Sequence, residues 1–118
     1  MLTDVMTKLK EIDPNVYYGM VDKSRAAEAW DYIVFGRRKL TSSLNKTGYT
    51  DYYWVAIVRE EYIPEGLETQ VIDKMLEIDG MKLAGTDGQY DYVMKPNTNT
   101  VVEVLTLEFA KAKKRVAV

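Results

Sequence analysis

Asp51-Tyr52-Tyr53-Trp54-Val55-Ala56-Ile57-Val58-Arg59-Glu60, running straight into Glu61-Tyr62-Ile63-Pro64-Glu65-Gly66-Leu67, decides the fold of this chain. Aromatic and β-branched residues fill the first ten positions, so they read as a strand. Successive side chains of a strand point to opposite faces. That puts Tyr52, Trp54, Ala56 and Val58 on one face and Tyr53, Val55, Ile57 and Arg59 on the other. A strand apolar on both faces is normally covered on both, and in a chain of 118 residues the second cover is expected to come from another subunit. Pro64 suits the first position of a helix, where its missing N–H costs nothing, and Glu65 and Glu68 then lie near the positive helix end. Leu67, Val71, Ile72, Met75, Leu76 and Ile78 form the apolar stripe of that helix, and Asp79-Gly80 ends it.

Downstream, Met81 to Ala84 begins a strand, Gly85 to Gly88 turns, and Gln89 to Lys95 continues extended. Pro96 to Asn99 turns again. Val101 to Lys111 is the last long strand, with Val101, Leu105, Leu107 and Phe109 on one face. Lys111, Lys113, Lys114 and Arg115 read as a basic tail from 111 to 118, disordered or ordered by a partner. Upstream, Leu2, Val5, Met6, Leu9 and Ile12 have helical spacing. Thr3 or Asp4 caps this helix, and Asp13-Pro14-Asn15 stops it. Val16 to Val21 is a short extended run. Asp22 to Trp30 reads as a loop with one helical turn capped by Ser24. Asp31 to Phe35 is a strand continuing toward Leu40, and Thr41 to Thr50 is a polar loop longer than a tight hairpin needs. The expected architecture is one α+β domain over 1–118: a mostly antiparallel sheet packed with two helices, in the order α-β-β-β-α-β-β.

Composition limits the chemistry. The chain has no Cys and no His, which removes disulfides, thiol nucleophiles, the commonest metal ligand and the commonest neutral-pH base. No apolar run approaches the roughly 20 residues that span a bilayer, and Asp4, Lys8 and Lys10 inside the first helix argue against a secretory signal. No membrane partner is expected. Net charge is −2, yet charge is segregated. Gly36 to Arg59 holds five bases (Arg37, Arg38, Lys39, Lys46, Arg59) against Asp51, and Glu60 to Gly80 holds seven acids (Glu60, Glu61, Glu65, Glu68, Asp73, Glu77, Asp79) against Lys74. These runs are either two solvated faces or complementary patches that register one subunit on the next.

Two carboxylate groupings invite a metal-dependent reading: Glu60, Glu61 and Glu65 near the helix start, and Asp87 with Asp91 at a hairpin. The structural alternative is stronger, because neighbouring strand residues diverge and no metal-ligand spacing accompanies them. Nine tyrosines and two tryptophans suit base stacking or protein contact. With a sequence pI of about 5.2 and no RNA-binding sheet motif, core plus interface is the better reading.

The runs Trp30 to Phe35, Tyr52 to Val58 and Glu60 to Leu67, with Gln89-Tyr90-Asp91-Tyr92 and Thr98 to Glu103, resemble a family of small neck and tail proteins. These belong to tailed phages and prophages of Gram-positive bacteria and are sometimes called minor capsid proteins. The element order is similar to the tail terminator fold, over nearly the whole chain; the Asp22 to Ala29 connection and the basic tail have no counterpart. The resemblance implies a structural virion protein, not an enzyme, with no cofactor. It implies a hexameric ring that caps the tail tube and docks on the head connector, with a sheath as a further partner in contractile tails and DNA only passing through the lumen. A head-completion or stopper ring is the alternative within that class. The interface residues expected on this reading are Arg37, Arg38 and Lys39 with Lys46 and Tyr49 of the Thr41 to Thr50 loop, meeting the tube, the lumen or a neighbouring subunit, and Glu60, Glu61, Glu65 and Glu68 on the opposing ring contact.

Overall fold

A computed structural model describes residues 2–21, 29–42 and 48–114, with the side chains of 86, 113 and 114 outside the description. The elements are α1 (Leu2–Lys10), β1 (Val16–Tyr18), β2 (Tyr32–Ser42), β3 (Gly48–Glu60), α2 (Leu67–Leu76), β4 (Met81–Met94) and β5 (Val101–Lys114). The fold is α+β, in the order the sequence predicts. One five-stranded sheet has the strand order β1-β2-β3-β5-β4. Among the described residues, the β1–β2 pairing is parallel and β2–β3, β3–β5 and β4–β5 are antiparallel.

Both helices lie on one face of the sheet. Val5 and Leu9 of α1 and Leu67, Val71 and Met75 of α2 form one buried cluster with Ile33, Phe35, Tyr53, Val55, Ile57, Leu105, Leu107 and Phe109. These sheet residues are the alternate positions of β2, β3 and β5, as the period of two requires. Because β4 starts opposite Lys111, near the far end of β5, α2 must cross the sheet from the Glu60 end of β3 to reach it. That crossing covers the middle of β3 and β5 and leaves both ends of the sheet less covered.

The opposite face carries no helix among the described residues. Even so, Val34, Ala56 and Val58 are at most 9 % exposed in the single chain, and Val102 is fully buried. Trp54 contributes by lying flat over Gly36, where a Cβ would meet its ring at 2.8 Å. The second face of β3 therefore does not need another subunit to bury it, contrary to the expectation from its composition.

Several local expectations change. Thr3 and Asp4 lie inside the first turn of α1 and not ahead of it. Pro64 is not the first residue of α2. Gly66 takes the left-handed conformation at φ 91° and separates the two, so Pro64 and Glu65 form a turn in which the Leu67 N–H donates to the Pro64 carbonyl at 3.2 Å. Leu76 is 45 % exposed and leaves the apolar stripe, while Ile78 stays buried. Both ends of the expected polar loop are strand, Thr41 pairing with Thr50 and Ser42 with Tyr49, and 43–47 fall outside the described residues. The basic tail becomes strand as far as Lys114, which pairs with Gly48; the ladder needs only backbone atoms, and Arg115 with the rest of the expected tail falls outside the described residues. The helical turn expected around Ser24 falls outside the described residues.

Gly85 to Gly88 is not a hairpin turn. Strand β4 runs through it as a wide bulge: Ala84 pairs with Glu108 and Gln89 with Thr106, so four residues face Leu107 alone. Gly88 crosses so close to β5 that a Cβ would meet Leu107 Cδ2 at 3.0 Å and Leu105 Cδ1 at 3.1 Å.

Candidate functional site

The interface bases and acids expected from the sequence lie toward opposite ends of β3, whereas Arg59 lies at the Glu60 end and Asp79 lies beside Lys111 at the other. The chain measures 55 × 28 × 24 Å. Arg37, Arg38 and Lys39 belong to the half of the β2–β3 hairpin that leads away from the helices, and Glu60, Glu61, Glu65 and Glu68 surround the other end of β3. Tyr49 and Glu60 lie eleven residues apart on β3, which at about 3.3 Å per residue is roughly 36 Å.

At the basic end, the three consecutive bases do not share a face. The register slips between Arg37 and Lys39, so Arg38 is an extra residue without a partner on β3. Arg37 opposes Tyr53 on the helix-bearing face and donates from Nε to the Tyr18 hydroxyl at 3.3 Å. Arg38 pairs with Glu108 at 3.1 Å, and the Lys39 ammonium sits 4.7 Å from the centre of the Tyr52 ring. Leu40 then returns to the helix-bearing face opposite Asp51, beyond the reach of α2, and is 60 % exposed. Past Lys111 there is no β4, so this end is a three-stranded extension of β2, β3 and β5. Tyr49 lies half-buried within it, between Ser42 and Lys113. Lys46 lies outside the described residues.

Arg59 does not belong to the basic surface. Its Nη2 meets the Asp13 carboxylate at 2.6 Å, and its Nη1 donates to the carbonyls of Tyr32 and Val58 at 3.2 and 2.8 Å. Asp13 is 5 % exposed, and its other oxygen accepts the Asn15 N–H at 2.9 Å. This pair bolts the end of α1 to β3.

At the acidic end, Glu60 is occupied within the chain: it accepts the Trp30 N–H at 2.6 Å and lies 3.5 Å from the Lys95 ammonium. Glu61 has φ 71°, donates its N–H to the Val101 carbonyl at 2.7 Å, and is exposed. Glu65 is exposed, and Glu68 accepts the Gly66 N–H at 3.3 Å ahead of α2. Glu60, Glu61 and Glu65 therefore diverge. Glu77, at the far end of α2, is held by Lys8 at 2.9 Å, which keeps its carboxyl below the usual range.

Asp87 and Asp91 do share a site. With Gln89, Thr106, Glu108 and Arg38 they line a polar groove of about 280 Å³ across β4 and β5. Arg38, already paired to Glu108, supplies the positive charge there. Among the described residues, no three Asp or Glu side chains are grouped so as to hold a metal ion.

Sequence reasoning missed one feature of the acidic end. Tyr90, Tyr92, Met94 and Val101 are between 41 and 63 % exposed and share the helix-bearing face where β4 pairs with the start of β5, while Tyr62, 68 % exposed, lines a groove with Asp13, Asp31 and Arg59. Tyr92 and Met94 alternate on the helix-bearing face of β4; Met94 pairs with Val101, whose carbonyl holds Glu61. Glu103 joins the rest, accepting the Tyr92 hydroxyl at 2.8 Å and the Ile63 N–H at 2.8 Å. The alternation was legible, but the exposure was not, because it depends on where α2 crosses. Neither a protein-family model nor a curated protein sequence matches the chain.

Proposed function

We propose that this chain is a structural subunit of a phage tail neck, a terminator whose hexameric ring caps the tail tube and offers a docking surface to the head connector. It is assembled in the bacterial host cytoplasm and carried in the virion. The observation that carries the reading is the polarity of the subunit: bases on a bare strand extension at one end, acids around the start of α2 at the other. A subunit with different, complementary ends makes heterologous contacts, and such contacts close into a ring when their rotation permits. The elongated sheet is in keeping with a wall element, and the resemblance of Trp30 to Phe35, Tyr52 to Val58 and Glu60 to Leu67 to neck and tail proteins supplies the biological setting. Charge complementarity of this kind sets register and association rate more than it adds affinity.

The test is charge reversal. The variant Arg37→Glu/Arg38→Glu weakens ring assembly, measured by sedimentation, and lengthens tails assembled in its presence, measured by particle imaging. Unchanged oligomer size and unchanged tail length in that variant would remove the reading.

A further inference from the structure

A groove of about 500 Å³ lies where the end of α1, the start of β2 and the exit of β3 meet. Its walls are apolar: Ile12 and Pro14 from the α1 side, and Tyr62 and Pro64 from the segment between β3 and α2. The remaining lining is Asn15, the carboxylates of Asp13, Asp31 and Glu60, and the Arg59 guanidinium. The Arg59 charge is spent on Asp13, at 2.6 Å, and on the carbonyls of Tyr32 and Val58. Glu60 is answered by Lys95, at 3.5 Å. Asp31 is exposed and has no counter-ion among the described residues; one of its oxygens accepts the Glu60 N–H at 3.2 Å. The groove is therefore left with net negative charge.

Tyr62 is 68 % exposed, more than any other aromatic side chain among the described residues. The backbone around it is fixed. Glu61 has φ 71°, and the Tyr62 N–H donates to the Glu60 carbonyl at 3.0 Å, a γ-turn of the rare, strained kind. On its other side Ile63 is buried, and its N–H donates to the Glu103 carboxylate at 2.8 Å. The ring thus lines the groove from a rigid support.

An open aromatic ring, an unanswered carboxylate and two prolines fit a cation carried on an apolar stem. Arginine suits them better than lysine, because its planar guanidinium stacks on a ring and presents paired N–H groups to a carboxylate. We propose that this groove is a docking site for an arginine side chain of another protein. The guanidinium lies on the Tyr62 ring and donates to Asp31, and the stem packs against the proline walls. Arg37, Arg38 and Arg59 are each engaged within the chain, by Tyr18, Glu108 and Asp13, which favours an arginine from a different protein over one from a second copy. The site does not depend on the ring contact.

The test titrates the full chain with acetyl-Gly-Arg-Gly-amide and follows it by NMR. Saturable shifts are expected at Asn15, Asp31 and the Tyr62 ring, and none with the same peptide carrying uncharged citrulline in place of arginine. Tyr62→Ala weakens binding by about two- to fivefold, the worth of an exposed cation–π contact. Asp31→Asn, which keeps an oxygen for the Glu60 N–H, weakens it by a similar factor at low salt. Asp87→Asn, in the separate groove on β4, leaves the affinity unchanged. Melting temperatures report that the variants are folded. Equal binding of the citrulline peptide, wild-type affinity in both Tyr62→Ala and Asp31→Asn, or an equal loss in Asp87→Asn would overturn the site. Dissociation of a multimer into single copies by the arginine peptide would put a second copy in the groove and overturn the assignment to a different protein.

Discussion

Strand β3 passes through two different environments. Between Tyr53 and Val58 it lies in the body of the molecule, where Tyr53, Val55 and Ile57 are at most 1 % exposed beneath the helices and Ala56 and Val58 are at most 7 % exposed on the other face. Between Gly48 and Tyr52 the same strand lies in the extension, where every residue is half-buried and the neighbouring Leu40 is 60 % exposed. The ladder is continuous through both. What differs is side-chain burial, which supplies most of the favourable energy of folding. The body therefore holds the fold, and the extension is carried by it, free to present whatever surface a partner requires.

The body is most vulnerable at the Asp13–Arg59 bolt between α1 and β3. Replacing Asp13 with Asn leaves Arg59 buried without its counter-ion, at a cost of about 3–5 kcal/mol. Denaturant unfolding checks this, and a midpoint equal to wild type would mean that the body is not held as described. Phe35→Ala, at a residue 1 % exposed, has a similar expected loss of about 3–5 kcal/mol through the cavity it leaves.

Next come the two glycines crossed by side chains. Gly36→Ala drives a methyl into the Trp54 ring and should cost about 1–3 kcal/mol. Gly88→Ala presses on the ends of Leu105 and Leu107, at 3.1 and 3.0 Å, and should cost less, because those methyls give way more easily than an indole. Equal losses in the two variants would show that Trp54 is as free to move as a leucine.

Alkaline pH sharpens the contrast within β3. Burial, then the Asp51 carboxylate, pushes the Tyr53 hydroxyl up to about 12 from its ordinary 10.0. A raised phenol binds its proton in the folded state after the unfolded chain has lost it. The contribution of Tyr53 to stability is therefore fully present below pH 10 and falls away as pH rises toward 12. Tyr53→Phe flattens that part of the profile, and an unchanged profile would place the alkaline transition elsewhere. The smallest effect belongs to the extension: Leu40→Ser should alter stability by less than about 0.5 kcal/mol, as exposed substitutions do. A clear loss would mean that the extension is part of the core.

Much of this architecture was legible from the sequence. The spacing of Leu2, Val5, Met6 and Leu9 specified α1, and the alternation through Tyr52 to Val58 specified β3, because each reflects a period fixed by the backbone. The parts that were not legible depend on tertiary placement. Nothing around Arg38 marks it as an extra residue in β2; the slip appears only against its partner β3. Arg59 reads as one more base until Asp13, 46 positions away, is brought against it. Lys113 and Lys114 read as a tail because their composition is that of one, while the ladder to Tyr49 and Gly48 uses only backbone atoms. The candidate site was half legible. The segregation of charge was plain, and its arrangement along the long axis follows from β3 joining the two segments. The exposure of Tyr90, Tyr92 and Met94 required knowing which part of β4 the second helix leaves bare.

The proposed ring requires this subunit to join copies of itself end to end. Sedimentation of the unsubstituted chain over a range of concentrations, at low and high salt, tests it most directly. A ring gives a closed species several times the 13.6 kDa of one copy, which loosens as salt screens its two charged ends. A particle that remains one copy in mass at every concentration and ionic strength would contradict it.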